Sequence, residues 1–228
     1  MTSELELLVL VDIETTGLND VFDDDVVLEV GLKVVDLQLN VVGEWSSLVD
    51  NEDWRAKVAR NQFVFNMHTK SGLISAIDAL YQGPRQPCEY APQLVALRAL
   101  QWLTIDMGLP SGKLPAMGSS VQFDRDFLHC EMIVLDNFFT YRNIDVSTLK
   151  ELCMRYNPDL YTAIKNEFKK EDAAHRVLPD LDATIAEFRT YRDNFLFIPG
   201  NSIAAKIGDF DEDETQQILP GLEQYGRM

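Results

Sequence analysis

Three short strings in this 228-residue chain hold side chains whose types and spacing suit chemistry on a charged substrate. The first is Asp12-Ile13-Glu14-Thr15-Thr16-Gly17, which follows an apolar run at 7–11. In extended chain, residues i and i+2 project to the same side. Asp12 and Glu14 therefore aim two carboxylates at one point. Carboxylates that close resist joint ionisation. A divalent cation removes the penalty, and hard oxygen donors suit Mg²⁺ or Mn²⁺. Alone, D-x-E is a weak signal, because acids after a strand are most often solvated loop residues.

The second string, Gly118-Ser-Ser-Val-Gln-Phe-Asp124, sets a small-residue loop ahead of an acid that begins a helix. Alone, Asp124 reads as an N-cap, a common role for Asp. A helix N-terminus with nearby hydroxyls is also a natural anion site. The third string is His175-Arg-Val-Leu-Pro-Asp180. The chain has three histidines, His68, His129 and His175. A histidine titrates near neutral pH and suits a general base, though a lone histidine such as His175 is more often a surface or capping residue. Asp180 stands just inside the last helical pattern, so a loop-to-helix junction can turn this pair toward a shared centre.

The elements that must carry these residues are readable in outline. Residues 7–11 suit a buried strand. Residues 26–35 and 41–49 read as two more strands, and the short gaps predict an antiparallel meander. Helical patterns cover about 52–60, 71–81, 93–107 and 124–135, while the three prolines of 82–92 predict a loop. Residues 114–118 and 143–146 read as short strands, and Thr148-x-x-Glu151 resembles a capping box opening the next helix. Leu181, Ile185, Phe188 and Phe195 share one face of a last helix, with Pro179 in its first turn. The pattern predicts an α/β fold on a mixed sheet of about five strands. A domain over 1–198 is followed by an acidic, mobile tail at 199–228, which includes Asp209-Phe-Asp-Glu-Asp-Glu214.

Composition narrows the partners. Lys plus Arg number 20 against 37 Asp plus Glu, a net charge of −17. Such a chain does not coat long nucleic acid or an anionic membrane, because both reward clustered cations. A short anionic substrate held through divalent metal stays open, since a metal reverses the local sign. Three cysteines without C-x-x-C spacing favour a reduced cytoplasmic compartment. The N-terminal residues carry neither a signal-peptide pattern nor a membrane span's length.

The order D-x-E, then D, then H-x₄-D resembles the DEDDh exonuclease superfamily, which includes the proofreading exonucleases. Three further strings resemble its oligoribonuclease branch: Met67-His68-Thr-Lys-Ser71-Gly72-Leu73, Tyr141-Arg-Asn-Ile-Asp145-Val-Ser147-Thr148-Leu-Lys-Glu-Leu152 and Ile185-Ala-Glu-Phe-Arg-Thr-Tyr191-Arg192. The resemblance covers about 7–197. It implies a ribonuclease-H-like exonuclease fold and a homodimer. The implied enzyme degrades very short RNAs from the 3′ end to nucleoside 5′-monophosphates.

Matched position by position, the resemblance implies that Asp12, Glu14, Asp124 and Asp180 bind two Mg²⁺ or Mn²⁺ ions, with His175 as general base. It implies a cap over the substrate's 5′ phosphate from Ser120, Arg142, Ser147 and Thr148. It also implies substrate contacts from His68 and Tyr141, the latter reaching a partner subunit's site, and an apolar wedge from Leu18. Phe63 falls near a family aromatic that could stack on a base. Pro179 and Phe123 depart from the family's usual residues, and no expected ligand is missing. A DEDDh exonuclease acting on single-stranded DNA or longer RNA, and a catalytically silent nucleotide-binding protein, are the rival readings.

Overall fold

The computed structural model describes residues 7–17, 24–82, 87–167 and 175–196. Leu18 and the acidic tail lie outside the described residues. A five-stranded mixed sheet forms the centre, in the order β3-β2-β1-β4-β5. β1 (Leu7–Thr15), β2 (Val27–Asp36) and β3 (Val41–Leu48) form the expected antiparallel meander. β4 (Leu114–Gly118) runs parallel to β1, and β5 (Phe139–Asp145) runs parallel to β4. β1 is thus the middle strand, and the acids at its end are reachable from both flanks.

The middle strands are apolar because both sheet faces are covered. Val9, Val11 and Ile13 of β1 join one cluster with Val95 and Ala99 of α4 (Pro92–Gln101) and Phe127 of α5 (Val121–Glu131). Leu10 faces the other way, with Cys153 of α7 (Val146–Tyr156), Ile164 of α8 (Pro158–Glu167) and Leu181 of α9 (Val177–Tyr191). A third cluster joins Val26 and Leu28 to the short helices α1 (Trp54–Val58), α2 (Gln62–Lys70) and α3 (Leu73–Leu80). Each fully buried Val or Leu stabilises the fold by about 1.5–3 kcal/mol.

The pattern reading missed α2 altogether and started β5 at 143 in place of Phe139, and other boundaries differ as well. The predicted helix at 93–107 ends its regular part at Gln101 and finishes in a π-helical turn, Trp102–Asp106. The predicted helix at 124–135 is two helices, α5 and α6 (Ile133–Asp136), broken at Met132, where φ is −133°. The capping box expected at Thr148 does not form. α7 starts earlier, capped by Asp145, whose carboxylate accepts the Ser147 amide at 2.9 Å. A residue already on the preceding strand satisfies the first turn, so Thr148 sits inside the helix.

Gly31 fixes how α9 meets the sheet. A Cβ at Gly31 would lie 2.6 Å from Val177 Cβ, so only glycine lets the helix approach this closely.

Candidate active site

β1 carries Asp12 and Glu14 to the sheet's end on one face, as the two-residue period requires. The N-terminal turn of α9 brings Asp180 to the same place. Oxygens of Asp12, Glu14 and Asp180 lie within 4.8 Å of one another. Among the described residues this is the one such acidic group. Asp124 stands beside it in the first turn of α5, where its Oδ1 accepts the Ile13 amide at 3.0 Å. That bond ties α5 to β1 between the two acids.

Burial and mutual repulsion set the electrostatics of the site. Burial pushes the Glu14 carboxyl up to about 9, with Asp12 and Asp180 adding repulsion. Burial, then Asp12, also raises Asp124 well above the carboxylate range, against the pull of the Ile13 amide. The nearby cation Arg176 is already engaged: its Nε and Nη2 donate to Glu29 at 2.8 and 2.6 Å. Clustered hard oxygen donors with raised proton affinity fit a divalent cation of the Mg²⁺ or Mn²⁺ class.

Glu29 anchors the helix that bears Asp180. It lies opposite Glu14 in the β1–β2 ladder and is buried. Besides holding Arg176, it accepts the Val177 amide at 3.4 Å, so a strand residue serves as cap for α9. His175 precedes this anchor in a left-handed conformation, φ 44°, and is half-buried.

His68 on α2 is wholly buried under the site. Its Nε2 donates to the Thr15 carbonyl at 2.8 Å, which leaves the other nitrogen as an acceptor in the neutral ring. That Nδ1 has no hydrogen-bond partner among the described residues and lies 3.8 Å from Glu14 Oε2. Burial holds the ring's pKa below the usual histidine value. A cavity of about 390 Å³ opens beside Thr16 and Gly17, with the exposed Phe63 ring, Lys57 and Arg60 in its wall.

A second cluster lies at the ends of β4 and β5. The Ser147 hydroxyl lies 3.1 Å from that of Ser119 and 3.0 Å from that of Ser120. One oxygen of Asp145 accepts both the Ser120 and Ser147 amides at 2.9 Å, which draws the N-termini of α5 and α7 together. Arg142 and Tyr141 project from β5, the tyrosine 84% exposed, with Arg142 Nε donating to Tyr141 Oη at 3.1 Å. Thr148 is exposed. Pattern reading missed Glu29, Arg176, Ser119 and Asp145. Glu29 did carry a signal, as a charged residue inside the apolar run 26–35.

No family model matches the chain. Curated relatives do. An oligoribonuclease of Enterobacter sp. (strain 638) is 32% identical over 197 residues, covering 86% of this chain and 99% of the relative. An oligoribonuclease of Pseudomonas entomophila (strain L48) is 34% identical over 189 residues, covering 83% and 96%. Among solved structures, cell-death related nuclease 4 (CRN-4) superposes with TM-score 0.57 at 14% identity, covering 82% of this chain and 64% of its own. Exonuclease I of E. coli, in a metal-free complex with single-stranded DNA, superposes with TM-score 0.51 at 16% identity. This chain covers 40% of that one, so it spans about two fifths of exonuclease I.

The mixed five-stranded sheet flanked by helices is a ribonuclease-H-like fold, shared with these two nucleases. Within that class the identity over nearly the full length of its relatives is decisive. The chain belongs to the oligoribonuclease family of 3′→5′ exoribonucleases. Among the described residues, no helix is long and apolar enough to cross a membrane.

Proposed function

We propose that this enzyme hydrolyses very short oligoribonucleotides, dinucleotides included, from the 3′ end to nucleoside 5′-monophosphates. The observation that carries the reading is the pairing of two clusters: the acids Asp12, Glu14 and Asp180, and the hydroxyls of Ser119, Ser120 and Ser147 at the ends of β4 and of β5, the strand that bears Arg142. The first suits a scissile phosphate with metal. The second suits a terminal phosphate, which a planar guanidinium fork and several hydroxyls can satisfy.

Asp12, Glu14, Asp124 and Asp180 would hold the cations. Bound there, two Mg²⁺ or Mn²⁺ ions would stabilise the attacking and leaving oxygens and lower the pKa of the attacking water. His175 takes that water's proton. The new bond joins the water oxygen to phosphorus, and the bond to the 3′-oxygen of the preceding nucleotide breaks, which yields a 5′-monophosphate. Ser120, Arg142, Ser147 and Thr148 hold the 5′ phosphate. A terminal phosphate carries more charge than a diester, so this cap favours short 5′-phosphorylated substrates. By the family resemblance His68 would contact substrate, Phe63 would stack on a base, and Leu18 would serve as an apolar wedge. The high exposure of Tyr141 supports a reach into a partner subunit within a homodimer. The reading carries with it a cytoplasmic location and a net charge of −17 that repels long duplexes.

The test incubates purified protein with 5′-labelled dinucleotides and with long RNA and DNA strands, in Mg²⁺, Mn²⁺ or EDTA. Fast, EDTA-sensitive cleavage of RNA dinucleotides is expected. Cleavage of long DNA alone would overturn the reading and favour a DNA exonuclease. Binding without turnover would indicate a silent nucleotide-binding protein.

A further inference from the structure

The strand that presents Arg142 leaves its ladder at that very point. Leu114 pairs with Phe139 and Ala116 with Asn143, so β5 advances four residues while β4 advances two. The surplus lies around Tyr141 and Arg142, where no regular ladder holds the backbone. What holds it is Arg125. Its Nη1 donates to the Thr140 carbonyl at 2.6 Å and to Asn143 Oδ1 at 3.1 Å, gripping both ends of the Tyr141–Arg142 pair. Its Nε donates to Asp136 Oδ1 at 2.9 Å. Asn143 Nδ2 in turn donates to Gln122 Oε1 at 3.0 Å, on the same helix as Arg125. The clamp is sheltered, with the Arg125 and Asp136 side chains 11% and 9% exposed. On α5 the next residue back is Asp124, fastened to β1 through the Ile13 amide.

We propose that Arg125 is a positioning residue that sets the spacing between the 5′-phosphate cap and the carboxylate centre, and so determines the preference for the shortest substrates. The proposal rests on the cap reading given under Proposed function. A dinucleotide gripped at its 5′ phosphate must present its one scissile phosphate at a fixed distance from that grip. A rigid guanidinium fork with acceptors on β5 and α6 is suited to hold such a distance. A misplacement of about 1 Å lowers the rate of an oriented reaction by about 100-fold. Longer strands carry their 5′ phosphate elsewhere and do not depend on the spacing.

Arg125→Ala removes the cation bonded to the sheltered Asp136 carboxylate, leaving it His129 Nδ1 at 3.1 Å, and endangers the fold. The informative variants are therefore Asn143→Ala, which removes one strut without stranding a charge, and Asn143→Asp, which keeps the acceptor for Arg125. Three substrates are compared: a 5′-phosphorylated dinucleotide, a longer RNA, and the p-nitrophenyl ester of a nucleoside 5′-monophosphate, which makes no cap contact. For Asn143→Ala the expected result is a fall of about 10–100-fold in kcat/KM on the dinucleotide alone. The other two substrates and thermal unfolding stay at wild-type values, and Asn143→Asp recovers the loss. Combining Asn143→Ala with Arg142→Ala should add little to the loss from Arg142→Ala, because both act through one contact. Equal losses on all three substrates, an additive double variant, or an undiminished dinucleotide rate would overturn the proposal. If Arg142→Ala itself spares the dinucleotide, the cap reading falls and takes the proposal with it.

Discussion

Replacing Gly31 by alanine should inactivate the enzyme through a helix rather than through a ligand. The added methyl carbon would stand 2.6 Å from both Cβ and Cγ2 of Val177 and 3.5 Å from Leu181 Cδ1. Carbon atoms settle at about 3.5–4.0 Å, so β2 and α9 must part by roughly 1 Å. Val177 and Leu181 bracket Asp180 on α9, so the movement carries that carboxylate away from Asp12 and Glu14. A shift of this size predicts a drop of about 100-fold in kcat/KM. The strain predicts about 1–3 kcal/mol of lost stability, or a Tm lower by roughly 2–12 °C for a chain of this size. Steady-state kinetics on a short RNA across a Mn²⁺ titration, with parallel thermal unfolding, reads all of this. The half-saturating Mn²⁺ concentration should rise. Adding Val177→Gly removes the clashing carbons and should restore much of the activity. A Gly31→Ala enzyme with wild-type rate, metal requirement and Tm would refute the claim that this close approach sets the site.

Four further outcomes are expected. Asp12→Ala and His175→Ala should each abolish turnover while circular dichroism stays native; activity at wild-type level in either would remove that residue from the site. Arg142→Ala should slow dinucleotides at least about 10-fold more than longer strands, in line with the loss of a charged hydrogen-bonding group, and equal slowing would refute the cap. Chelation by EDTA should stop turnover and lower the Tm, with both recovering on adding Mn²⁺; unaffected turnover in EDTA would refute metal dependence. Glu131 is pushed up to about 7 by burial, opposed by its bonds from Asn51 and Val27 and by the charge of Lys57. A carboxyl raised in the folded state contributes stability below its unfolded pKa and loses it as pH climbs through the folded value. Stability should therefore fall between about pH 4.5 and 7. Glu131→Gln, which keeps an acceptor, should stabilise the protein at pH 8 by about 1–3 kcal/mol and give no gain at pH 4. Urea unfolding at the two pH values checks this, and an equal effect at both would refute it.

The parts of this molecule legible before the fold are those encoded by local spacing. Asp12 and Glu14 share a face because a strand repeats every two residues, and the meander of β1 to β3 follows from three β-rich runs with short gaps. The gathering of Asp180 with them follows once α9 is placed over β2. What was not legible depends on partners brought together from distant segments. Glu29 caps α9 across 148 positions of sequence. Asp145 bridges two helix starts, and no pattern around Thr148 announces that a strand residue will cap α7 first. The grip of Arg125 exists only because β5 slips against β4. The burial of His68 has the same origin: nothing around residue 68 reveals that the Thr15 carbonyl will bond to its ring.

The place of Asp180 on α9, late in the described residues, has a consequence for how the enzyme is made. Chains emerge from synthesis N-terminus first, and elements that wait for a distant partner fold late. The sheet strands bearing Asp12 and Glu14 can pair while α9 is still unwritten, yet the third acid arrives only when that helix docks on Gly31. A growing chain therefore carries an incomplete acidic centre through most of its synthesis. The acidic group is thus completed by the docking of α9, not by the pairing of the strands.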